Sequence, residues 1–121
     1  MDISSEYIKM CEKAEEIQAM KPHSFFDGGI ELERGDYYYN VQSRKTGVQT
    51  SSWRNFRNLW LPRQDQLQEM AFDKVTIDCL EGFRLFFIHF QDNFDTMEQL
   101  WLAYVMKTKF SKTWNGEEWV A

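Results

Sequence analysis

Apolar residues recur at spacings of three and four from the start of the chain. Ile3, Tyr7, Cys11, Ala14 and Ile17 form one stripe, which predicts an amphipathic helix over about residues 3–20. Glu12, Lys13, Glu15, Glu16 and Gln18 take its wet side, and Pro22 ends it. Phe25-Phe26-Asp27-Gly28-Gly29 reads as a turn with two aromatic anchors. After Gly35-Asp36 comes Tyr37-Tyr38-Tyr39-Asn40-Val41, a strand by residue type. Tyr37, Tyr39 and Val41 share one face, Tyr38 and Asn40 the other. Residues 43–47 read as a hairpin loop and 48–51 as its return strand. Residues 53–61 hold a turn and a short third strand ending at Leu61.

The second half is mostly helical in pattern. Pro62 suits a first helical turn, where a missing N–H costs nothing. Leu67, Met70 and Ala71 then predict a helix over about 63–72. Residues 73–78 connect, with an extended piece at Val75-Thr76-Ile77. Leu80, Phe83, Phe87 and Phe90 mark a helix over about 79–91, which Gly82 weakens slightly. Asp95 with Glu98, and Thr96 with Gln99, form two overlapping capping boxes. The helix they open, about 96–109, is apolar almost all round, which predicts the most buried element. Asn115-Gly116 between strand-like residues predicts a two-residue hairpin turn pairing 114 with 117, 113 with 118 and 112 with 119. Trp114 and Trp119 then meet diagonally on one face. The sum is an α+β chain read as a single domain over residues 1–121. About four helices pack on a small antiparallel sheet, with a C-terminal β-hairpin.

Composition changes the picture in three ways. First, 10 Phe, 5 Trp and 5 Tyr make the chain 17% aromatic, more than a core alone explains. Second, no apolar run approaches the roughly 20 residues that span a bilayer, so no membrane role is expected. The polar start, Met1-Asp2-Ile3-Ser4-Ser5-Glu6, predicts no secretory signal. Cys11 and Cys79 belong to no C-x-x-C pair and read as buried free thiols in a reducing compartment. Third, the net charge of -5 is unevenly spread. Residues 36–63 carry Asp36 against Arg44, Lys45, Arg54, Arg57 and Arg63, while the segments on either side are acidic.

Candidate chemistry is sparse. His23 and His89 are the only histidines. The chain lacks H-E-x-x-H, G-x-S-x-G and Gly-rich phosphate loops. A Cys/His dyad has no support in the pattern, and paired carboxylates such as Asp92 and Asp95 read as solvated caps. No catalytic residue, metal site or cofactor is expected. The basic middle interleaves Arg44, Lys45, Arg54 and Arg57 with Tyr38, Trp53, Phe56 and Trp60. Cations beside stacking aromatics hold single-stranded nucleic acid, and the same residue types form protein hot spots. The plainer reading puts the aromatics in the core and the arginines in water. Arg63, Gln64, Asp65 and Gln66 adjoin this segment as a polar recognition turn or, more simply, as a helix cap. These twelve residues make up the candidate binding surface.

Four blocks carry a resemblance. They are Tyr7-Ile8-Lys9-Met10-Cys11-Glu12-Lys13-Ala14, Trp60-Leu61-Pro62-Arg63-Gln64-Asp65-Gln66-Leu67-Gln68-Glu69-Met70, the run from Met97 to Lys107, and Trp114-Asn115-Gly116-Glu117-Glu118-Trp119-Val120. The chain resembles a group of small uncharacterised proteins encoded in phages and prophages of Firmicutes-type bacteria. The likeness covers most of the chain outside residues 42–58. It implies a mobile-element source and action in the cytoplasm of the bacterial host, and it implies no activity. The expected function is therefore that of a non-enzymatic accessory protein binding another protein, such as a host or defence component. The alternative is a nucleic-acid-associated module using residues 36–63.

Overall fold

The computed structural model describes residues 1–21, 30–50, 53–55, 58–72 and 77–121, and the backbone alone of 53–55. The predicted turn at 25–29 and the extended piece at 75–76 lie outside the described residues. The fold is α+β, and the chain divides into two compact units, Ile3–Pro62 and Met1–Asp2 with Arg63–Ala121.

In the first unit the apolar stripe folds as two helices, not one. Ser4 caps α1 (Ser5–Lys13), its side chain accepting from the Tyr7 N–H at 3.2 Å. Ala14 leaves helical geometry at φ -86° and ψ 69°, and α2 (Glu15–Gln18) restarts at once. The stripe survives the break at Tyr7, Cys11, Ala14 and Ile17, all fully buried, but not at Ile3, which precedes α1 and is 52% exposed. Strand β1 (Ile30–Leu32) pairs antiparallel with β4 (Trp53–Asn55). Strand β2 (Tyr37–Asn40) lies between β3 (Lys45–Val48) and β5 (Asn58–Leu61), both antiparallel to it. The return strand therefore starts earlier than its sequence predicts. A turn over 41–44, with Arg44 at φ 59°, already reverses the chain. The Asn40 side chain sets that turn by accepting from the backbone N–H groups of Gln42 and Ser43 at 3.1 and 2.8 Å. Gly47 thus belongs to a strand, where it faces the Tyr38 ring. A Cβ there would sit 2.6 Å from the Tyr38 hydroxyl oxygen.

Helix α1 packs on β5, and the Tyr7 hydroxyl donates to the Pro62 carbonyl at 2.7 Å. Gln18 closes the edge of β5 from the side. Its Nε2 donates to the Trp60 carbonyl at 2.8 Å and its Oε1 accepts from the Trp60 N–H at 2.9 Å, as a neighbouring strand would. Asp36, 1% exposed, accepts from Lys21 Nζ at 2.6 Å and from the Glu33 N–H at 2.8 Å. That pairing compensates a buried carboxylate.

The second unit contains α3 (Gln64–Ala71), α4 (Ile77–Phe90), a 3₁₀ turn (Gln91–Asn93), α5 (Met97–Phe110), and the paired strands β6 (Thr113–Trp114) and β7 (Trp119–Val120). Helix α5 is as deeply buried as its pattern predicts: every residue from 99 to 106 is buried. It packs against α3, α4 and β6. Thr96 is its cap, accepting from the Gln99 N–H at 3.2 Å, while Gln99 Oε1 accepts from the Asp95 N–H at 3.1 Å. Asp2 completes the arrangement, accepting from Thr96 Oγ1 at 2.6 Å and from Gln99 Nε2 at 2.9 Å. Ser111 ends the helix in the left-handed region at φ 56°.

Helix α4 starts at Ile77, earlier than predicted, and buries a different stripe. Leu80 is 53% exposed, and Phe86 is the buried residue instead. A helix with apolar residues on most sides offers several stripes, and the aromatic face of α5 selects one. The Phe83 ring stacks on Trp101 at 3.6 Å between centroids, and Phe86 lies 5.2 Å from Tyr104. At the C-terminus the register is wider than the predicted two-residue turn: Thr113 pairs with Val120 and Trp114 with Trp119. The Asn115 side chain accepts from the Glu117 and Glu118 N–H groups, both at 2.8 Å, which a four-residue loop accommodates. The two indoles therefore sit directly opposite each other, 5.1 Å apart.

Candidate functional site

The β2–β3 hairpin gathers part of the predicted surface. Alternation along a strand and the register place Tyr38, Lys45 and Trp60 on one face of the three-stranded sheet: Tyr38 pairs with Trp60 and Gly47, and Asn40 pairs with Lys45. Arg44 and Lys45 are exposed and Tyr38 is half-buried. Val41 and Val48, at 53% and 46% exposure, add apolar surface to the same hairpin. Among the described residues β3 is an edge of its sheet. Trp60 is not free for stacking. It is 3% exposed, and Lys21 Nζ lies 4.6 Å from its ring centroid. Its indole Nε1 is buried without a hydrogen-bond partner among the described residues.

The other predicted residues stand elsewhere in the chain. Trp53 and Arg54 are in β4, in register with Leu32 and Glu31; their side chains, and Phe56 and Arg57 entirely, lie outside the described residues. Arg63, Gln64, Asp65 and Gln66 belong to the second unit and open α3. Arg63 Nε and Nη2 donate to the Asp65 carboxylate at 2.9 and 3.2 Å, and Gln66 Oε1 accepts from the Arg63 N–H at 2.9 Å. The Arg63 hydrogen bond holds the Asp65 carboxyl below the usual carboxylate range, against the opposing effect of desolvation. This is a helix cap by geometry, the simpler of the two readings of those four residues.

The second unit carries two recesses that its sequence does not announce. One, about 390 Å³, lies between α3, α4 and α5 and is lined by Gln68, Glu69, Phe72, Leu80 and Trp101. The other, about 430 Å³, runs between α4 and α5 over Phe86, Phe90 and Tyr104, with Lys107 Nζ 4.9 Å from the Phe90 centroid. Burial pushes the Tyr104 hydroxyl above its ordinary pKa, with Cys79 adding to the shift. Cys79 is half-buried and Cys11 fully buried. Cys79 and His89 stand ten residues apart on one helix, about 15 Å along its axis, too far for a dyad. His23 lies outside the described residues. Among the described residues no group of three or more His, Cys, Asp or Glu side chains is placed to hold a metal, and no helix is long and apolar enough to cross a membrane.

These features define an α+β protein. No protein-family model matches the chain, and no curated protein or solved structure is significantly similar to it.

Proposed function

We propose that this protein is a non-enzymatic accessory protein that acts by binding another protein. The observation that carries the reading is the β2–β3 hairpin, where exposed Arg44, Lys45, Val41 and Val48 adjoin three half-buried tyrosines and where β3 is a sheet edge among the described residues. Tyr and Arg are enriched where proteins bind, and an open edge accepts a further strand by main-chain hydrogen bonds. The resemblance of the four sequence blocks supports a phage or prophage origin and action in the cytoplasm of the bacterial host. A host or defence component is the natural partner in that setting.

A single-stranded nucleic acid is the alternative ligand for the same segment. It is disfavoured because Trp60, one of the aromatics expected to stack, is buried, and Arg63 is engaged with Asp65. Pull-down from host extract with the wild-type chain and the Arg44→Glu/Lys45→Glu variant tests both readings. A protein retained by the wild type and lost by the variant is the expected result. Saturable, salt-sensitive binding of a short single strand, also lost in the variant, would replace the protein reading with the nucleic-acid one.

A further inference from the structure

The recess between α4 and α5 carries polar chemistry that packing of the two helices does not account for. Tyr104 is 8% exposed, and its hydroxyl makes no hydrogen bond with a described residue. A buried tyrosine hydroxyl usually finds a partner, and leaving it without one costs free energy. The side chain reaches across from α5 to Gly82 on α4, where a Cβ would lie 3.0 Å from the Tyr104 oxygen. Both residues line the recess, so the hydroxyl stands at that end of it. Burial holds the hydroxyl above its ordinary pKa, which keeps it a donor at neutral pH.

The other end is basic. Phe90 lies eight residues beyond Gly82 on the same helix, about 12 Å along the axis. There Lys107 holds its ammonium over two rings, 4.9 Å from the Phe90 centroid and 5.8 Å from that of Phe86. It makes no ion pair with a described residue. Lys107 and His89 are the basic groups among the described lining residues, and none of those residues is acidic, in a chain of net charge -5. Between the two ends Leu85 and Phe86 form an apolar wall. The volume of about 430 Å³ lies in the range of small-molecule sites.

We infer that this recess is a binding site for a medium-chain organic anion, a carboxylate whose head pairs with Lys107 and whose far end carries an oxygen for the Tyr104 hydroxyl. Each part of the ligand answers one feature of the site. A cation with no carboxylate beside it selects the anionic head. A buried donor with no acceptor selects the distal oxygen. Gly82, Phe86 and Phe90 follow one another at a spacing of four on one helix face, which selects an unbranched apolar body. The ammonium has three donors, so it meets a carboxylate without leaving the rings. The site lies in the second unit and does not draw on the β2–β3 hairpin, so it stands or falls apart from the partner proposed there.

Isothermal titration calorimetry of the full chain with decanoate and with ω-hydroxydecanoate, each below its aggregation threshold, tests the assignment. Both acids bind at one site, and the ω-hydroxy acid binds about threefold to tenfold tighter, as one added hydrogen bond requires. Tyr104→Phe abolishes that preference and leaves decanoate binding unchanged. Lys107→Met keeps the apolar stem, removes the charge and weakens both acids about fivefold. Far-UV circular dichroism verifies that the helices persist in both variants. Failure of both acids to bind the wild type overturns the inference, as does equal affinity for the two. A preference that survives Tyr104→Phe, or binding indifferent to Lys107→Met, overturns it as well, because the acids would then occupy another surface.

Discussion

At the scale of single residues, the polar side chains that matter most join distant parts of a unit, and their roles are invisible in local patterning. Gln18 reads as a wet-face helix residue, yet its amide holds both backbone groups of Trp60 forty-two positions away. Gln18→Ala leaves that N–H and C=O without these bonds, and we expect a loss of about 1–3 kcal/mol in urea unfolding. A loss below the error of the measurement would mean that water replaces the amide fully. Asp65 works locally by contrast. Its folded pKa lies below its unfolded value, so the ionised form favours folding. That contribution is present above the unfolded carboxylate pKa of about 3.9 and fades as pH falls through the folded value. Asp65 is largely exposed, so solvent screening keeps the effect of Asp65→Asn at pH 7 to about 0.5 kcal/mol or less. Comparing wild type and variant across an acid titration should show the difference shrink as pH falls below the unfolded carboxylate pKa and vanish once the folded carboxyl is protonated.

Among the elements, α5 is the one whose pattern and position agree. Its apolar circumference demands burial on every side, and Trp101 is 4% exposed, beneath the stacked ring of Phe83 and edge-on to Phe72. Trp101→Ala removes the centre of that cluster, and we expect a loss of about 3–5 kcal/mol. A loss below about 1 kcal/mol would show that α5 is not the centre of its unit. Helix α4 is the opposite case. Leu80 was expected inside and is outside, because apolar residues on most sides of the helix leave its orientation open and the rings of Trp101 and Tyr104 decide it. The hairpins divide in the same way. The turn residue was legible at Asn115, whereas Asn40 reads as a strand residue, and neither loop length was legible. Each asparagine side chain bonds two backbone N–H groups further on and sets its own register.

For the whole molecule, composition and periodicity alone determined the α+β class, the buried α5, the existence of β2 and of the C-terminal strand pair, and the basic middle between acidic ends. These follow from properties that each residue carries wherever it is placed: side-chain volume, backbone preference, charge. Tertiary structure alone decided how each residue is used. Trp60, which the sequence offers either as a stacking platform or as core, went inside beneath Lys21, which is itself held by Asp36. Arg63 went to a helix cap, and Leu80, Leu85 and Ile88 went to solvent. Which of several apolar faces is covered depends on long-range packing, and packing is a property of pairs of elements, not of any one segment.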